Sequence, residues 1–357
     1  METGLSDRMR TGMQTWGLIG IFVAGCCLSA SAPDREQEQI LKSRVGLDDA
    51  ELERIRRGLP VVHLVKTGDA AEVLVWGAIY INGNPADFLG KYRNVEAMVD
   101  GKSYLDARRL PERPTMADLS ALRIEPADIE NLRKCNPGDC EFQLTREAME
   151  EFRTAVDWKS SDATAQANRL ARRMVLRTLD AYRREGNRAL GAYHDKGTPT
   201  SVDESFQTVL SRVRGLPSYF PDFYQYLLAF PQGRPAHSSD YYYWERVNFG
   251  LKPTFRVNHV IVYQPADGLQ TLIANKQLYA SHYFHTAIDL WMCVGRSDRG
   301  FVLLTLKGSR QDGLDGVKGR VLRNIATSRT REALERALVR LKSELESAAA
   351  ARRAASP

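Results

Sequence analysis

The apolar residues between positions 255 and 307 form four runs, separated by turns rich in proline, glycine, aspartate and serine. Runs of this length with many β-branched and aromatic residues are typical of β-strands. The predicted strands are Phe255–Tyr263, Leu272–Phe284, Ala287–Val294 and Phe301–Lys307. Their spacing predicts an antiparallel meander. Because neither face of these strands is wholly polar, we expect both sides of the sheet to be covered, one by helices and one by a partly polar interior.

One long amphipathic helix is predicted after these strands, from about Val317 to Leu345. Its apolar residues recur at steps of three and four positions, with arginine and glutamate between them. The stripe consists of Val317, Val321, Ile325, Leu334, Leu338, Leu341 and Leu345. Since an amphipathic helix gains most of its stability from packing, we expect this one to lie along the sheet. The alanine- and arginine-rich residues 347–357 are predicted to be a disordered tail.

The region 33–116 predicts a helix and several strands that join the same sheet. Its first residues, 33–46, are polar and are expected to be mobile. The elements predicted after them are a helix at Asp48–Arg57, strands at Val61–Val65 and Glu72–Ile81, a weak helix at Ala86–Met98 and a strand at Gly101–Arg109. The turn Thr67-Gly-Asp-Ala between the first two strands indicates a β-hairpin.

Residues 117–230 predict a block of helices. The helices are expected from Pro126 to Leu132, from Thr145 to Trp158, from Ser161 to Tyr193, from Ser201 to Arg214 and from Asp222 to Phe230. Gly186 is expected to weaken the middle of the longest one. The predicted fold class is therefore α+β: an antiparallel sheet wrapped on a long C-terminal helix, residues 241–346, with a large helical insertion at 117–230.

The first 32 residues have the pattern of an export signal, in which Arg8 and Arg10 precede a short apolar run that ends in small residues. This run is shorter than the ~18 residues that a membrane-spanning helix needs. Two processing sites stay open. Ala30-Ser31-Ala32 has the small-x-small pattern, whereas residues 23–26 resemble a lipobox in which Cys26 would carry a lipid anchor. We therefore predict an exported protein, either periplasmic or membrane-anchored through Cys26.

Cys135 and Cys140 enclose the turn sequence Asn-Pro-Gly-Asp, which brings the two thiols close together. In an oxidising compartment this spacing favours a disulfide. The alternative, a zinc site, needs two further ligands, and none has metal spacing. Cys293 lies in an apolar strand and is interpreted as a buried thiol.

The net charge of +6, from 50 basic and 44 acidic residues, is small for 357 residues. A nucleic-acid-binding protein concentrates positive charge on one surface. Here the arginines of the helix predicted at 161–193 alternate with apolar positions, so they are interpreted as a solvated face with snorkelling side chains. We expect no nucleic-acid partner.

The order of elements resembles that of the START/polyketide-cyclase superfamily, the helix-grip fold. The resemblance covers Val73–Ile81 with the helix from Pro85, and residues 241–346. It implies a cavity for a lipid or another apolar ligand between the sheet and the C-terminal helix. The segments Cys135–Cys140 and Lys276–Phe284 also resemble a family of uncharacterised exported bacterial proteins, which implies no activity.

Catalytic and metal chemistry have little support from residue spacing. Residues three apart on one strand point to opposite faces, so His282 and His285 cannot converge with His259 on a metal without a bulge. An acid–base pair of His259 with a nearby carboxylate stays open. No phosphate loop, nucleophile elbow or dinucleotide fingerprint is present in the sequence.

The function predicted from these observations is non-catalytic binding of a lipid or other apolar molecule in the cell envelope, without a cofactor. The residues predicted to line the ligand site are Tyr263, Tyr279, Ser281, Tyr283 and Trp291. Two alternatives stay open: an envelope hydrolase or cyclase-like enzyme that uses His259 or His285, and a structural or assembly protein.

Overall fold

The computed structural model describes residues 33–266, 268, 270–295, 300–314 and 316–355. The predicted export signal, with Cys26 and the alternative cleavage site, lies outside these residues.

Eight strands form one antiparallel sheet. The strands are β1 (Val61–Leu64), β2 (Glu72–Ile81), β3 (Tyr104–Leu110), β6 (Ser238–Val247), β7 (Thr254–Tyr263), β8 (Gln270–Ala280), β9 (Phe284–Val294) and β10 (Phe301–Gln311), and the short pair β4 (Ala192–Tyr193) and β5 (Thr200–Ser201) lies apart from them. Their order across the sheet is β1-β2-β10-β9-β8-β7-β6-β3. The predicted hairpin and meander are both confirmed. β2 joins them by pairing with β10 along its whole length.

The helices surround this sheet on both sides. They are α1 (Arg35–Ile40), α2 (Asp49–Arg56), α3 (Pro85–Arg93), α4 (Pro126–Lys134), α5 (Arg146–Ala155), α6 (Ala163–Glu185), α7 (Val202–Ser211), α8 (Gly215–Tyr219), α9 (Pro221–Ala229) and α10 (Gly316–Ala355). The described residues thus form an α+β fold in which the C-terminal helix packs against a large antiparallel sheet.

The two faces of the sheet have different partners. The face that carries Trp244, Val257 and Ile261 packs against α6, α7 and α9 of the helical insertion, and is called the insertion face. The face that carries Val260 and Ile273 packs against α3 and α10, and is called the terminal-helix face. Alternate residues of each strand therefore serve two separate cores.

Among the stripe residues of α10 whose burial is described, only those from Leu334 onward lie on the sheet. Leu334, Leu338 and Leu345 are buried against the terminal-helix face. Val321 and Ile325 are 60% and 43% exposed, so the expectation that they pack on the sheet is wrong. The periodicity identifies a helix face correctly, but α10 contacts mainly β1 and β2, and part of that face is exposed.

The prediction of a disordered tail is also wrong for residues 347–355. Residues 347–355 continue α10, and Ala349 is buried. Arg352 forms a charged contact with Asp87 of α3. Alanine and arginine are good helix formers, so the helix continues once its preceding turns are held by the sheet.

Residues 33–46, which were expected to be mobile, form α1 and a following turn of π-helix. Asp34 caps α1, and Gln37 completes a capping box. The buried Gln37 amide donates hydrogen bonds to the carbonyl oxygens of Val294 and Gly300, at 3.3 and 3.0 Å. These long-range bonds hold a segment whose composition alone indicates mobility.

Gly186 ends α6 rather than weakening its middle. Its φ of +73° and ψ of −148° lie in a region that is open almost only to glycine. The carbonyl of Phe230 packs so closely that a Cβ at Gly186 would lie 1.8 Å from its oxygen. The chain then continues as a 3₁₀ turn, so the single helix predicted through Tyr193 is two elements.

The predicted strand Leu272–Phe284 is interrupted. β8 ends at Ala280, and a bend follows in which Tyr283 has a φ of +64°. The pairing of β7 with β8 is also shifted by a bulge at Val257 and Asn258. Strict alternation across this segment was therefore a wrong expectation, because a bulge changes which side chains share a face.

The predicted disulfide between Cys135 and Cys140 is present. The loop that it closes is held by two backbone hydrogen bonds, from Gly138 to the His194 carbonyl at 2.7 Å and from Cys140 to the Asp195 carbonyl at 3.1 Å. Both cysteines are buried in the core shared by α4, α5 and α6.

Cys293 is a free, buried thiol, as predicted. It lies on the terminal-helix face, and burial raises the pKa of its thiol. A thiol that stays protonated is a poor nucleophile.

Candidate functional site

An apolar cavity of about 330 Å³ lies between the insertion helices and the sheet. Most of its wall is aliphatic or aromatic. These lining residues are Leu122, Ile124, Phe142, Leu144, Ala148, Phe152, Ala171, Met174, Val175, Leu190, Tyr193, Pro253, Phe255, Val257, Leu278 and Tyr279. Such a wall is typical of sites that bind small apolar molecules.

The cavity lies where two apolar cores meet. α5 and part of α6 pack around Phe152 and Leu170, and the later turns of α6 pack on the sheet through Leu179. Tyr279 of β8 contacts both cores, and its hydroxyl donates to the Gln143 carbonyl at 2.9 Å. Because α6 bridges from one core to the other, the space beneath it is not filled.

Four of the seven charged residues at the cavity form ion pairs with each other. Arg246 binds Glu125, with 2.6 Å between the guanidinium and a carboxylate oxygen. Arg177 binds Glu151 in the same way. Arg123 is exposed and forms no ion pair among the residues that the structure describes. A further carboxylate on the wall, Asp128, pairs with the buried His282, with 2.9 Å between its oxygen and the imidazole Nε2.

Two of the five residues predicted to bind ligand do line this cavity, Tyr279 and Ser281. The Ser281 hydroxyl accepts a hydrogen bond from the Phe255 backbone at 3.0 Å, and its carbonyl accepts one from Gln143. Ser281 therefore holds the end of β8 against the insertion.

The other three predicted residues lie elsewhere. Tyr263 stacks on Phe223, with 5.5 Å between the ring centroids, outside the cavity. Tyr283 lies in the bend after β8. Trp291 is on the terminal-helix face, where it contacts Phe88. The structure therefore does not bring all five together: strand alternation places Trp291 on the opposite face, the bend separates Tyr283, and Tyr263 lies on the insertion face but away from the cavity.

The residues that the sequence did not indicate come from the insertion. Phe152, Met174 and Val175 form part of the apolar stripes of α5 and α6. Such a stripe predicts burial, but it does not distinguish a side chain that fills a core from one that borders an empty space.

Each of the three histidines considered for chemistry pairs with a different aspartate. His282 lies 2.9 Å from Asp128, and His285 lies 3.0 Å from Asp312. The two pairs are separate sites in the structure. Among the described residues, no group of three histidine, cysteine or acidic side chains is placed to hold a metal ion.

His259 has the carboxylate neighbour that an acid–base role requires, but it has no access to a ligand. Its Nε2 lies 3.4 Å from Asp240, and its Nδ1 lies 3.1 Å from the Tyr182 hydroxyl. The ring is fully buried, and this burial lowers its pKa although Asp240 opposes the shift. Neither His259 nor His285 lines the cavity.

Lys276, beside His259 on the insertion face, is a buried cation. It is 1% exposed, its ammonium donates to the Asn187 side chain, and it lies 3.8 Å from the centroid of the Phe206 ring. Burial lowers the pKa of Lys276 to about 7, against an ordinary value of 10.5. A charge that is costly to bury makes the stability of the fold depend on pH.

We expect Lys276→Met to change the pH dependence of stability. The unfolded chain keeps this lysine protonated up to its ordinary pKa of 10.5, whereas the folded protein releases the proton near 7. Between these values the unfolded state binds more protons, so the stability of the wild-type protein rises with pH. Because methionine avoids the cost of burying a charge, Lys276→Met should be more stable than the wild-type protein at low pH. Its lead in the free energy of unfolding should shrink as pH rises through this window, by at most about 1.4 kcal/mol per pH unit.

Urea unfolding of both proteins near pH 6 and near pH 9 measures this difference. The matched control is Lys307→Met, because the folded pKa of Lys307 is raised, not lowered: burial lowers it, but Asp289 and Tyr104 outweigh burial. A stability difference for Lys276→Met that stays constant with pH would contradict the prediction.

Among the described residues, no helix has the length and apolar character needed to cross a membrane. No protein-family model matches the chain, and no curated protein matches it. What the protein does is therefore inferred from the cavity and its surroundings.

Proposed function

We propose that this is an exported cell-envelope protein that binds an apolar small molecule or lipid chain, without catalysis, in the cavity beneath the helical insertion. The observation that carries the proposal is an apolar space of about 330 Å³ whose nearby charges are mostly paired with each other. Its volume is at the lower end of the range for small-molecule sites, which favours one acyl chain or a compact ring system over a two-chain lipid.

The proposed site differs from the one implied by the family resemblance. A helix-grip arrangement, in which the sheet wraps α10, stays part of the proposal. However, the terminal-helix face carries Glu245, Arg256, Asp289 and Lys307. Burying these groups against an apolar ligand would cost free energy, so the apolar ligand is assigned to the insertion face.

Export is supported by the leader sequence and by the disulfide between Cys135 and Cys140. Disulfides persist mainly in oxidising compartments. Whether Cys26 anchors the protein to a membrane is decided by mass measurement of the mature N-terminus. A lipid-modified cysteine supports anchoring, and cleavage after Ala32 supports a soluble envelope protein.

Filling the cavity should weaken the binding of an apolar probe. Ala171 lies on the cavity wall in α6, so Ala171→Phe places a ring in the ligand volume. We expect the affinity for 1-aminoanthracene, measured by its fluorescence, to fall at least about tenfold, since a lost apolar contact area of one ring is worth more than 1.4 kcal/mol.

The matched control is Ala165→Phe, on the same helix but away from the cavity wall. It should bind the probe as the wild-type protein does, and circular dichroism should show that both variants are folded. Equal affinities of the two variants would count against the cavity. Mass spectrometry of extracts from natively purified protein then identifies the ligand, and consistent recovery of empty protein would count against a carrier.

A further inference from the structure

Two ion pairs lie side by side on the terminal-helix face. Arg256 of β7 binds Glu245 of β6, with 2.8 Å between Nε and Oε1, and Lys307 of β10 binds Asp289 of β9. Glu245 is fully buried. Two positive and two negative groups cancel, so this surface has polar groups without a net charge.

Around these pairs, five buried polar atoms have no hydrogen-bond partner among the described residues. They are Glu245 Oε2, Asn275 Oδ1, Gln277 Oε1, Trp291 Nε1 and Thr305 Oγ1. Strand pairing places them together: Thr305 is opposite Trp291, and Asn275 is opposite Asp289. Buried polar atoms in native proteins normally hydrogen-bond to protein or to ordered water, so these five atoms are available to water or to the hydroxyl groups of a ligand.

Solvent reaches the ion pair beside these five atoms, although the atoms themselves are buried. The side chains of Asp289 and Lys307 are 27% and 29% exposed in the middle of their strands. α10 packs mainly on β1 and β2 rather than on the strands that carry the ion pairs. Arg256 lies beneath Phe249, which is 38% exposed, so the opening is at the turn between β6 and β7.

The unpaired atoms define the chemistry of a ligand. Three are acceptors, one is an indole donor and one is a hydroxyl that does either. Ligand hydroxyl groups also donate and accept, so they satisfy the whole set. An apolar wall is present too, because Trp291 contacts Phe88 and Tyr92, at 5.5 and 6.1 Å between ring centroids. We propose that the terminal-helix face holds a second binding site, for a small uncharged polyhydroxylated molecule such as one sugar ring.

This site is independent of the apolar cavity, which lies on the opposite face of the sheet. The sheet itself separates the two, so each can be tested without the other.

Saturation-transfer NMR with glucose, with N-acetylglucosamine and, as a charged comparison, with the zwitterion glycine betaine tests the proposal on the purified protein. We expect signal transfer to at least one of the two sugars. Trp291→Phe removes the indole N–H, and Thr305→Val removes the hydroxyl without changing the side-chain shape. Each should weaken binding about three- to tenfold, the effect of one hydrogen bond.

Trp244→Phe is the matched control. The Trp244 Nε1 is also buried and unpartnered among the described residues, but it lies on the insertion face. Thermal unfolding checks that all variants are folded. Three outcomes would overturn the proposal: no transfer to either sugar, the same weakening by Trp244→Phe as by Trp291→Phe, or transfer only to the zwitterion glycine betaine.

Discussion

Replacing Gly186 with alanine is expected to lower the free energy of unfolding by about 3 kcal/mol or more. Two costs add. The backbone angles at Gly186 are strained for any residue with a Cβ, and that Cβ would lie 1.8 Å from the Phe230 carbonyl oxygen. Phe230 cannot move aside easily, because its ring stacks on Tyr182 at 4.6 Å between centroids. Urea unfolding followed by circular dichroism measures the loss.

Gly90→Ala is the control for this prediction. Gly90 lies inside α3, and nothing lies within 4 Å of the position that its Cβ would occupy. Alanine should therefore stabilise the helix by about 0.5–1 kcal/mol, the usual advantage over glycine. If both substitutions changed stability by similar amounts, the close contact with Phe230 would be refuted.

Glu245→Ala is expected to destabilise the protein by about 3–5 kcal/mol, because it leaves a buried cation without its partner. Glu245 is fully buried and accepts hydrogen bonds from both Arg256 and Asn258. Arg256 is largely enclosed, with 14% of its side chain exposed. Chemical denaturation of the single variant gives the magnitude.

The double variant Glu245→Leu with Arg256→Met should recover most of this loss, because replacing a whole buried pair by apolar side chains is often nearly neutral. A surface pair provides a second control. Glu150 and Arg153 are more than half exposed, so Glu150→Ala should change stability by less than about 1 kcal/mol. A double variant as unstable as Glu245→Ala would show that packing, not the unpaired charge, causes the effect.

The local pattern of the sequence was sufficient for most of the strands. The bounds of β2, Glu72–Ile81, are those predicted, and β7 differs by one residue at its start. Alternation and turn residues act within a few positions, so they are visible in the sequence. The disulfide was predicted for the same reason, since Cys135 and Cys140 are separated by one turn.

Predictions failed where distant contacts decide the structure. The polar segment at 33–46 is ordered by the bonds of Gln37 to residues about 260 positions away. The tail after 346 is helical because α10 is already held by the sheet. At β8, the bulge opposite Asn258 and the bend before Phe284 change the alternation that the sequence indicates. None of these causes lies within a short stretch of chain.

The sequence by itself determined the α+β class, the meander, the long C-terminal helix and the partly polar interior of the sheet. Only the tertiary structure decided which face is apolar and which is polar. Tyr279 and Ser281 were predicted to bind ligand, but the opposite wall comes from Phe152 and Met174 of the insertion. A cavity forms where two packed surfaces leave space between them, so the sequence of one segment alone does not predict it.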